Sequence, residues 1–396
     1  MSTPKSLKNW IGFVAGKLPH LSKPQARVLA MWSFGMAMVQ SCGLTTVATF
    51  LANLLETKEN TMRQRLREWY WGKKDKTGKC RQELDVTQSF VPLLQWILSL
   101  WQDTENKQLF LAMDATTLGQ RFTVLAISVL YRGCAIPVAW KIVEATAKGA
   151  WQPYWLQLFD VFMGCIPSDW KVIVAADRGL YADWLYDKIV ELEWHPYLRV
   201  NLGGQFRPEG QSDFRPLKTA VSEPGSLPWC GRVTCFKNKP IKCTLIARWD
   251  VGYADPWLIV TDLSPEMATS CWYGMRAWIE CGFKDTKRGG WQWHQTKMTD
   301  PARAERLWLA IAVATLWLVS VGGEVDSNLP KNDLQSLSPH HVARLRTTTS
   351  KTSPRLLSCF RRGFLAILVA LLLGKPLPIG SFIPEPWPSR SHFSTA

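Results

Sequence analysis

The sequence predicts a mixed α/β fold: a core built on a mixed sheet, with a helical segment before it, a β-rich insertion inside it and a short helical tail after it. Three observations lead there. Between residues 108 and 200, apolar runs of strand length alternate with helical spacing in the order β-β-β-α-β-α-β. The first hundred residues carry helical spacing. Residues 202–265 are rich in Gly and Pro and hold only short strand-like runs. With 396 residues the chain exceeds one compact core. The expected division is a helical domain at 1–105, a core at 106–325 interrupted by the insertion at 202–265, and a tail at 326–396.

Gln25 to Gln40 reads as a helix that breaks near Cys42-Gly43. Thr45 to Leu55 and Thr61 to Trp71 read as two more, joined by a turn at Thr57 to Asn60. Arg63, Arg65 and Arg67 make the second of that pair basic, which resembles a helix-turn-helix. Lys73, Lys74, Lys76, Lys79 and Arg81 follow in a loop, a pattern suited to phosphate contact or to simple solvation. Leu109 to Met113 is a buried strand ending in Asp114, and Phe122 to Tyr131 and Ala135 to Val143 extend it as a meander. Trp151 to Met163 is helical, Trp170 to Ala176 is a strand ending in Asp177, Leu180 to Leu192 is helical and Tyr197 to Val200 is a strand. After the insertion, Pro265 is expected to open a helix running through Glu280 to about Lys284. Pro301 opens an apolar, Trp-rich helix to Val321. The tail is expected to hold one short apolar helix and then a loose Pro-rich end.

A formal net charge of +15 points to a polyanionic partner. Ten cysteines form no CxxC pair and no zinc pattern, so reduced, buried thiols in a reducing cytosol are expected. Neither apolar run is expected to span a bilayer, and no signal peptide is read at the start.

Asp114 and Asp177 end two apolar strands, where a rigid element holds an acid facing a crevice. With a third acid, two such carboxylates suit hard divalent cations, which activate an oxygen nucleophile and stabilise a leaving oxygen at a phosphodiester. Glu280 is that third acid. Tyr273, Arg276, Glu280, Lys284 and Lys287 are spaced 3-4-4-3, one face of a helix. A solvated ladder of i,i+4 pairs is the plain alternative for such a stripe.

The spacing Tyr273-x2-Arg276-x3-Glu280-x6-Lys287 resembles the DDE transposases of bacterial insertion sequences, in the cut-and-paste subgroup with the Tyr-Arg-Glu-Lys signature. A chance match in a chain of this length is on the order of a few in a thousand at average residue usage. The Asp-x-Thr context of Asp114 and the Asp-Arg-Gly context of Asp177 are similar to the family too. The resemblance implies a ribonuclease H-like core and Asp114, Asp177 and Glu280 as catalytic metal ligands for two Mg²⁺ ions, with Mn²⁺ as a substitute. It implies DNA contacts by Tyr273, Arg276, Lys284 and Lys287. Trp257-Leu-Ile-Val-Thr261 looks like the family's strand whose tryptophan stacks on a flipped base, a role carried to Trp257, with a core tryptophan opening a buried strand as the plain alternative. The implied partners are terminal inverted repeats and target DNA, with two copies acting on two ends, in the bacterial cytoplasm at the nucleoid. The rival readings are a metal-dependent nuclease on the same core and a catalytically silent DNA-binding derivative.

Overall fold

The computed structural model describes residues 3–77, 81–102, 105, 107–147, 149–329 and 357–388. Helices α1 (Lys5–Lys17), α2 (Lys23–Val39), α3 (Leu44–Leu54), α4 (Glu59–Tyr70) and α5 (Phe90–Ser99) form the first part. Ser22 and Gln25 close a capping box at the start of α2, with Pro24 in its first turn. Gln40 ends α2 in the left-handed conformation, at φ 49°.

The next elements are β1 (Gln108–Leu118), β2 (Phe122–Tyr131), β3 (Cys134–Glu144), α6 (Gln152–Asp160), β4 (Lys171–Ala176), α7 (Asp183–Glu191) and β5 (His195–Arg199). Their order is the β-β-β-α-β-α-β read from the apolar runs. The β2–β3 turn puts Arg132 and Gly133 both at positive φ, 45° and 80°, as a two-residue hairpin requires. β6 (Gln205–Pro208), β7 (Arg215–Pro216), β8 (Trp229–Cys235), β9 (Ile241–Arg248) and β10 (Trp257–Thr261) come from the insertion. They do not stand apart: one ten-stranded sheet runs β3-β2-β1-β4-β5-β10-β9-β8-β6-β7. Strands β1, β4 and β5 are parallel, and the other pairings are antiparallel. β2 is buried along its whole length, so the sheet is covered on both faces there.

α8 (Ser270–Tyr273), α9 (Trp278–Lys284), α10 (Pro301–Ser327) and α11 (Cys359–Leu372) complete the fold. α10 starts at Pro301, as read, and Asp300 caps it by accepting from the Ala302 and Arg303 amides. It is long and apolar enough to cross a membrane, yet 89% of its apolar window is buried inside the protein. Trp10 of α1 stacks on its Trp317 at 4.0 Å, and Trp140 of β3 donates to its Glu305 carbonyl. Two glycines let α11 lie directly on α10. A Cβ at Gly322 would meet the Cys359 carbonyl oxygen at 1.7 Å, and one at Gly363 would meet that of Leu318 at 1.8 Å.

Two expectations fail here. No helix opens at Pro265: Thr269 caps α8, and the chain up to Gly289 changes helix type three times. The Pro-rich end is not loose as far as Pro388. Trp317 and Ser320 donate to the carbonyls of Pro378 and Ile379, and Tyr131 donates to that of Ile383. Phe382 bridges to Trp101, and Trp387 packs edge-on to Phe110. Prolines give up donors but keep carbonyls, and side-chain donors from the core satisfy those. Most of the preceding tail, 330–356, lies outside the described residues.

Candidate active site

Strand register builds the centre of the site. Met113 pairs with Ala176 in the last step of the parallel β1–β4 ladder. Asp114 and Asp177 are the next residue on each strand, so they emerge side by side. Strands lie about 4.8 Å apart, which suits two carboxylates sharing one ligand. Asp114 is not at a strand tip, because β1 continues to Leu118 along β2. It marks the place where β1 parts from β4.

The third acid arrives through an arginine. Arg276 Nη2 donates to Asp114 Oδ2 at 2.7 Å and lies 3.8 Å from Asp177 Oδ2. Its Nη1 donates to Glu280 Oε1 at 3.0 Å. One guanidinium, only 12% exposed, therefore spans all three acids. Glu280 is 63% exposed and stands at the rim on α9. Gly282 lets that helix press on the sheet, since a Cβ there would sit 2.9 Å from that of Ala135. Among the described residues, no three acid, imidazole or thiol groups converge tightly enough to chelate one ion. Glu280 reaches the aspartates through Arg276. Burial pushes the Asp114 carboxyl above its ordinary range, with Arg276 and the Ala115 amide pulling the other way.

The polar stripe is not one helical face. Tyr273 is buried and its hydroxyl donates to the Ala176 carbonyl at the end of β4. Its hydroxyl is thus turned to the end of the sheet, not to the surface where a phosphate contact was expected. Burial also raises its pKa. The segment Gly274–Ala277 is 3-10 helix, α9 follows, and Asp285–Gly289 is a π turn. Lys284 is exposed. Lys287 is half-buried, and its ammonium donates to Thr116 Oγ1 on β1 at 2.7 Å. Burial, then Arg288, lowers its pKa.

Trp257 begins β10, antiparallel to β5, and so lies at the same sheet end as the aspartates. It is half-buried, with its ring edge-on to Tyr273 at 5.2 Å. The residue that sequence reading missed is Arg199. It ends β5, the third parallel strand, just as the aspartates follow the paired stretches of the other two. Its Nη1 is 3.8 Å from Asp177 Oδ1, and its Nη2 donates to the Pro256 carbonyl beside Trp257. Its place at a strand end was the available signal. The Nε atoms of Arg199 and Arg276 are both buried with no acceptor among the described residues.

Of the basic residues expected near DNA in the first part, Arg63 and Arg65 are exposed on α4, and Arg67 lies over the Trp71 ring at 5.6 Å. Lys76 is held by the Gln82 carbonyl, and Lys79 lies outside the described residues. Cys42, Cys134, Cys235, Cys243, Cys271 and Cys359 are buried free thiols.

A family model described as "Transposase DDE domain" matches residues 106–317, more than half of the chain. No curated protein matches it. Among solved structures, the cryo-EM structure of a piggyBac transposase synaptic complex with hairpin DNA is similar at 11% identity, over 79% of this chain and 73% of that one, with a TM-score of 0.35. A likeness that distant places no residue of this chain.

Proposed function

Because the chain belongs to the transposase DDE-domain family, we propose that it cleaves the ends of a DNA element and joins them to target DNA, with Asp114, Asp177 and Glu280 as the catalytic acids. The observation that carries this reading is the register of Asp114 with Asp177 and their joint tie to Glu280 through Arg276. The strand order and directions of β1 to β5 support a ribonuclease H-like core.

The donor set fits a pair of hard divalent cations. Two carboxylates emerge together, a third stands exposed one guanidinium away, and that guanidinium already holds positive charge among them. Asp114 and Asp177 would hold the ions, and Glu280 would complete the set once released from Arg276. Mg²⁺ held there would supply activation of the attacking oxygen and stabilisation of the leaving one, and Mn²⁺ is expected to substitute.

The chain's own residues do the rest. Arg276, once the acids take up the ions, and Arg199 beside them donate to the phosphates beside the scissile bond, Arg276 as a fork. Lys287 and Lys284 add point charges along the same strand of DNA. Tyr273 is a prop, fixing the start of the Arg276 turn beneath β4. Trp257 offers an indole face to a base displaced near the cut. Water opens the phosphodiester at each end and leaves a 3′-hydroxyl, which then attacks the opposite strand or the target in a second in-line displacement. The α3–α4 pair, with Arg63 and Arg65 outward, is assigned to binding the element's terminal repeats. Two copies act on two ends, with the exposed Leu365, Val369 and Leu372 of α11 as the face proposed between them.

The test is cleavage of DNA carrying the element's own ends, followed by joining of a pre-cleaved end to a target plasmid. Asp114→Ala, Asp177→Ala and Glu280→Ala are each expected to abolish both steps. Undiminished cleavage by any one removes that acid from the assignment. Cleavage without joining by the parent protein would favour a nuclease.

A further inference from the structure

Under Lys287, three distant parts of the chain meet. The π turn Asp285–Gly289 carries Lys287 and closes α9. Such turns are rare and occur mostly as single turns at functional sites. Arg361, in the first turn of α11, braces this one. Its Nη2 donates to the Gly289 carbonyl at 2.8 Å, and its Nη1 donates to Gln40 Oε1 at 2.6 Å. Asp285, on the same turn, lies within the field of Arg361 and Lys284.

Neighbouring contacts tie the same three parts. The Cys42 amide, just past α2, donates to the Trp291 carbonyl at 2.8 Å. Phe360 stands edge-on to Trp291 at 5.0 Å. Gly290 makes room for that ring, since a Cβ there would lie 2.5 Å from Phe360 Cζ. His294 Nδ1 is 2.6 Å from the Lys287 carbonyl oxygen. Arg361 itself touches neither the acids nor Thr116. Its fork joins the turn to the break between α2 and α3.

We propose that Arg361 is a positioning residue for the reaction: it fastens the turn that aims Lys287 along β1 toward the acids, and anchors that turn to the end of α2. This rests on the reading of Lys287 as a DNA-phosphate contact. A guanidinium is suited to the task, because two acceptors in different directions need a planar fork, and an ammonium meets one of them. The consequence is that the tail helix sets how the catalytic face holds DNA, from well outside that face.

The experiment is a double-mutant cycle in the full-length chain. Lys287→Ala, Arg361→Ala, the double variant, Arg361→Lys and Gln40→Ala are compared in single-turnover cleavage and in the salt dependence of DNA-end binding. Lys287→Ala is expected to reduce the salt slope by about one phosphate contact. Arg361→Ala is expected to slow cleavage about 10-fold or more and to reduce the slope alike, with the double variant no worse than Lys287→Ala. Arg361→Lys is expected to recover part of both. A general loosening would instead leave the salt slope unchanged and multiply with Lys287→Ala, and either result overturns the proposal. If Arg361→Ala fails to fold, Gln40→Ala carries the same cycle, with a smaller loss expected and independence from Lys287→Ala counting against the proposal. If Lys287→Ala leaves both cleavage rate and salt slope unchanged, the reading of Lys287 falls and the proposal with it. Multiplied effects overturn the Arg361 proposal alone.

Discussion

Replacing Arg276 by Gln removes one cation from among three acids and keeps most of the side chain's length. The guanidinium is 12% exposed and Asp114 19%, so their 2.7 Å contact is largely shielded from water. Leaving one partner of a buried pair uncompensated costs about 3–5 kcal/mol. The Glu280 contact, with that acid 63% exposed, is screened and adds less than about 1 kcal/mol. Asp114 also relieves part of the loss in the variant, since burial favours its uncharged form once the guanidinium is gone. Arg276→Gln is therefore expected to lose about 2–4 kcal/mol in a chelator, by urea denaturation near pH 7.5. A divalent cation then takes the vacated place. At a hundred times its dissociation constant it returns about 2.7 kcal/mol. In the parent protein Arg276 competes for the same carboxylates, so metal stabilises less. Calorimetric titration with Ca²⁺, which binds oxygen donors without supporting a turnover assay, is expected to show tighter binding to Arg276→Gln than to the parent. Equal stability of the two proteins in chelator, or weaker metal binding by the variant, would refute the reasoning.

Asp285 carries a pH prediction. Burial raises its pKa from 3.8 to about 6, against the pull of Arg361 and Lys284. Below pH 3.8 the folded and unfolded chains both hold the proton, and above about pH 6 neither does. Between those values only the folded chain holds it, so stability falls as pH rises through the window, by about 3 kcal/mol. Asp285→Asn is expected to flatten that fall, and a urea midpoint series from pH 3.5 to 7 that kept the parent's slope would count against it. Gly322→Ala places a methyl 1.7 Å from the Cys359 carbonyl oxygen, so α10 and α11 must separate. A loss of about 3 kcal/mol is expected, and a loss under about 1 kcal/mol would show that the crossing is looser than drawn. Trp257→Ala is expected to weaken capture of a displaced base by about 1–3 kcal/mol, with Trp257→Phe retaining part. A fluorescent base analogue beside the cut reads this directly, and an unchanged signal in Trp257→Ala would return the ring to a packing role.

The strands were legible because a buried parallel strand is an apolar run, and the acids because each breaks such a run. The depth of each polar residue was not. Helical periodicity treats 273 to 287 as one cylinder, but Thr269 starts the segment late and the helix type changes at Gly274, Trp278 and Asp285. Each change rotates the side chains that follow. Arg199 went unnoticed because a basic residue after Tyr197-Leu198 has the look of an ordinary strand end. Only the parallel pairing of β4 with β5 brings it beside Asp177. The tail was misread for a related reason: Pro-rich composition predicts looseness when its partners are local, and here the donors to Pro378, Ile379 and Ile383 sit about 60 to 250 residues away.

The motif spacing survives the loss of the straight helix because it encodes distance from the sheet. Tyr273 reaches the end of β4 from below. Three residues on, Arg276 stands level with the carboxylates and spans them. Four more bring Glu280 out to the rim, where it is open to solvent. Seven more, through a π turn that adds a residue to the usual helical step, bring Lys287 back onto β1 at Thr116, two residues past Asp114. The π turn thus brings the Lys287 ammonium onto Thr116 of β1, and the Arg361 fork at Gly289 braces that turn.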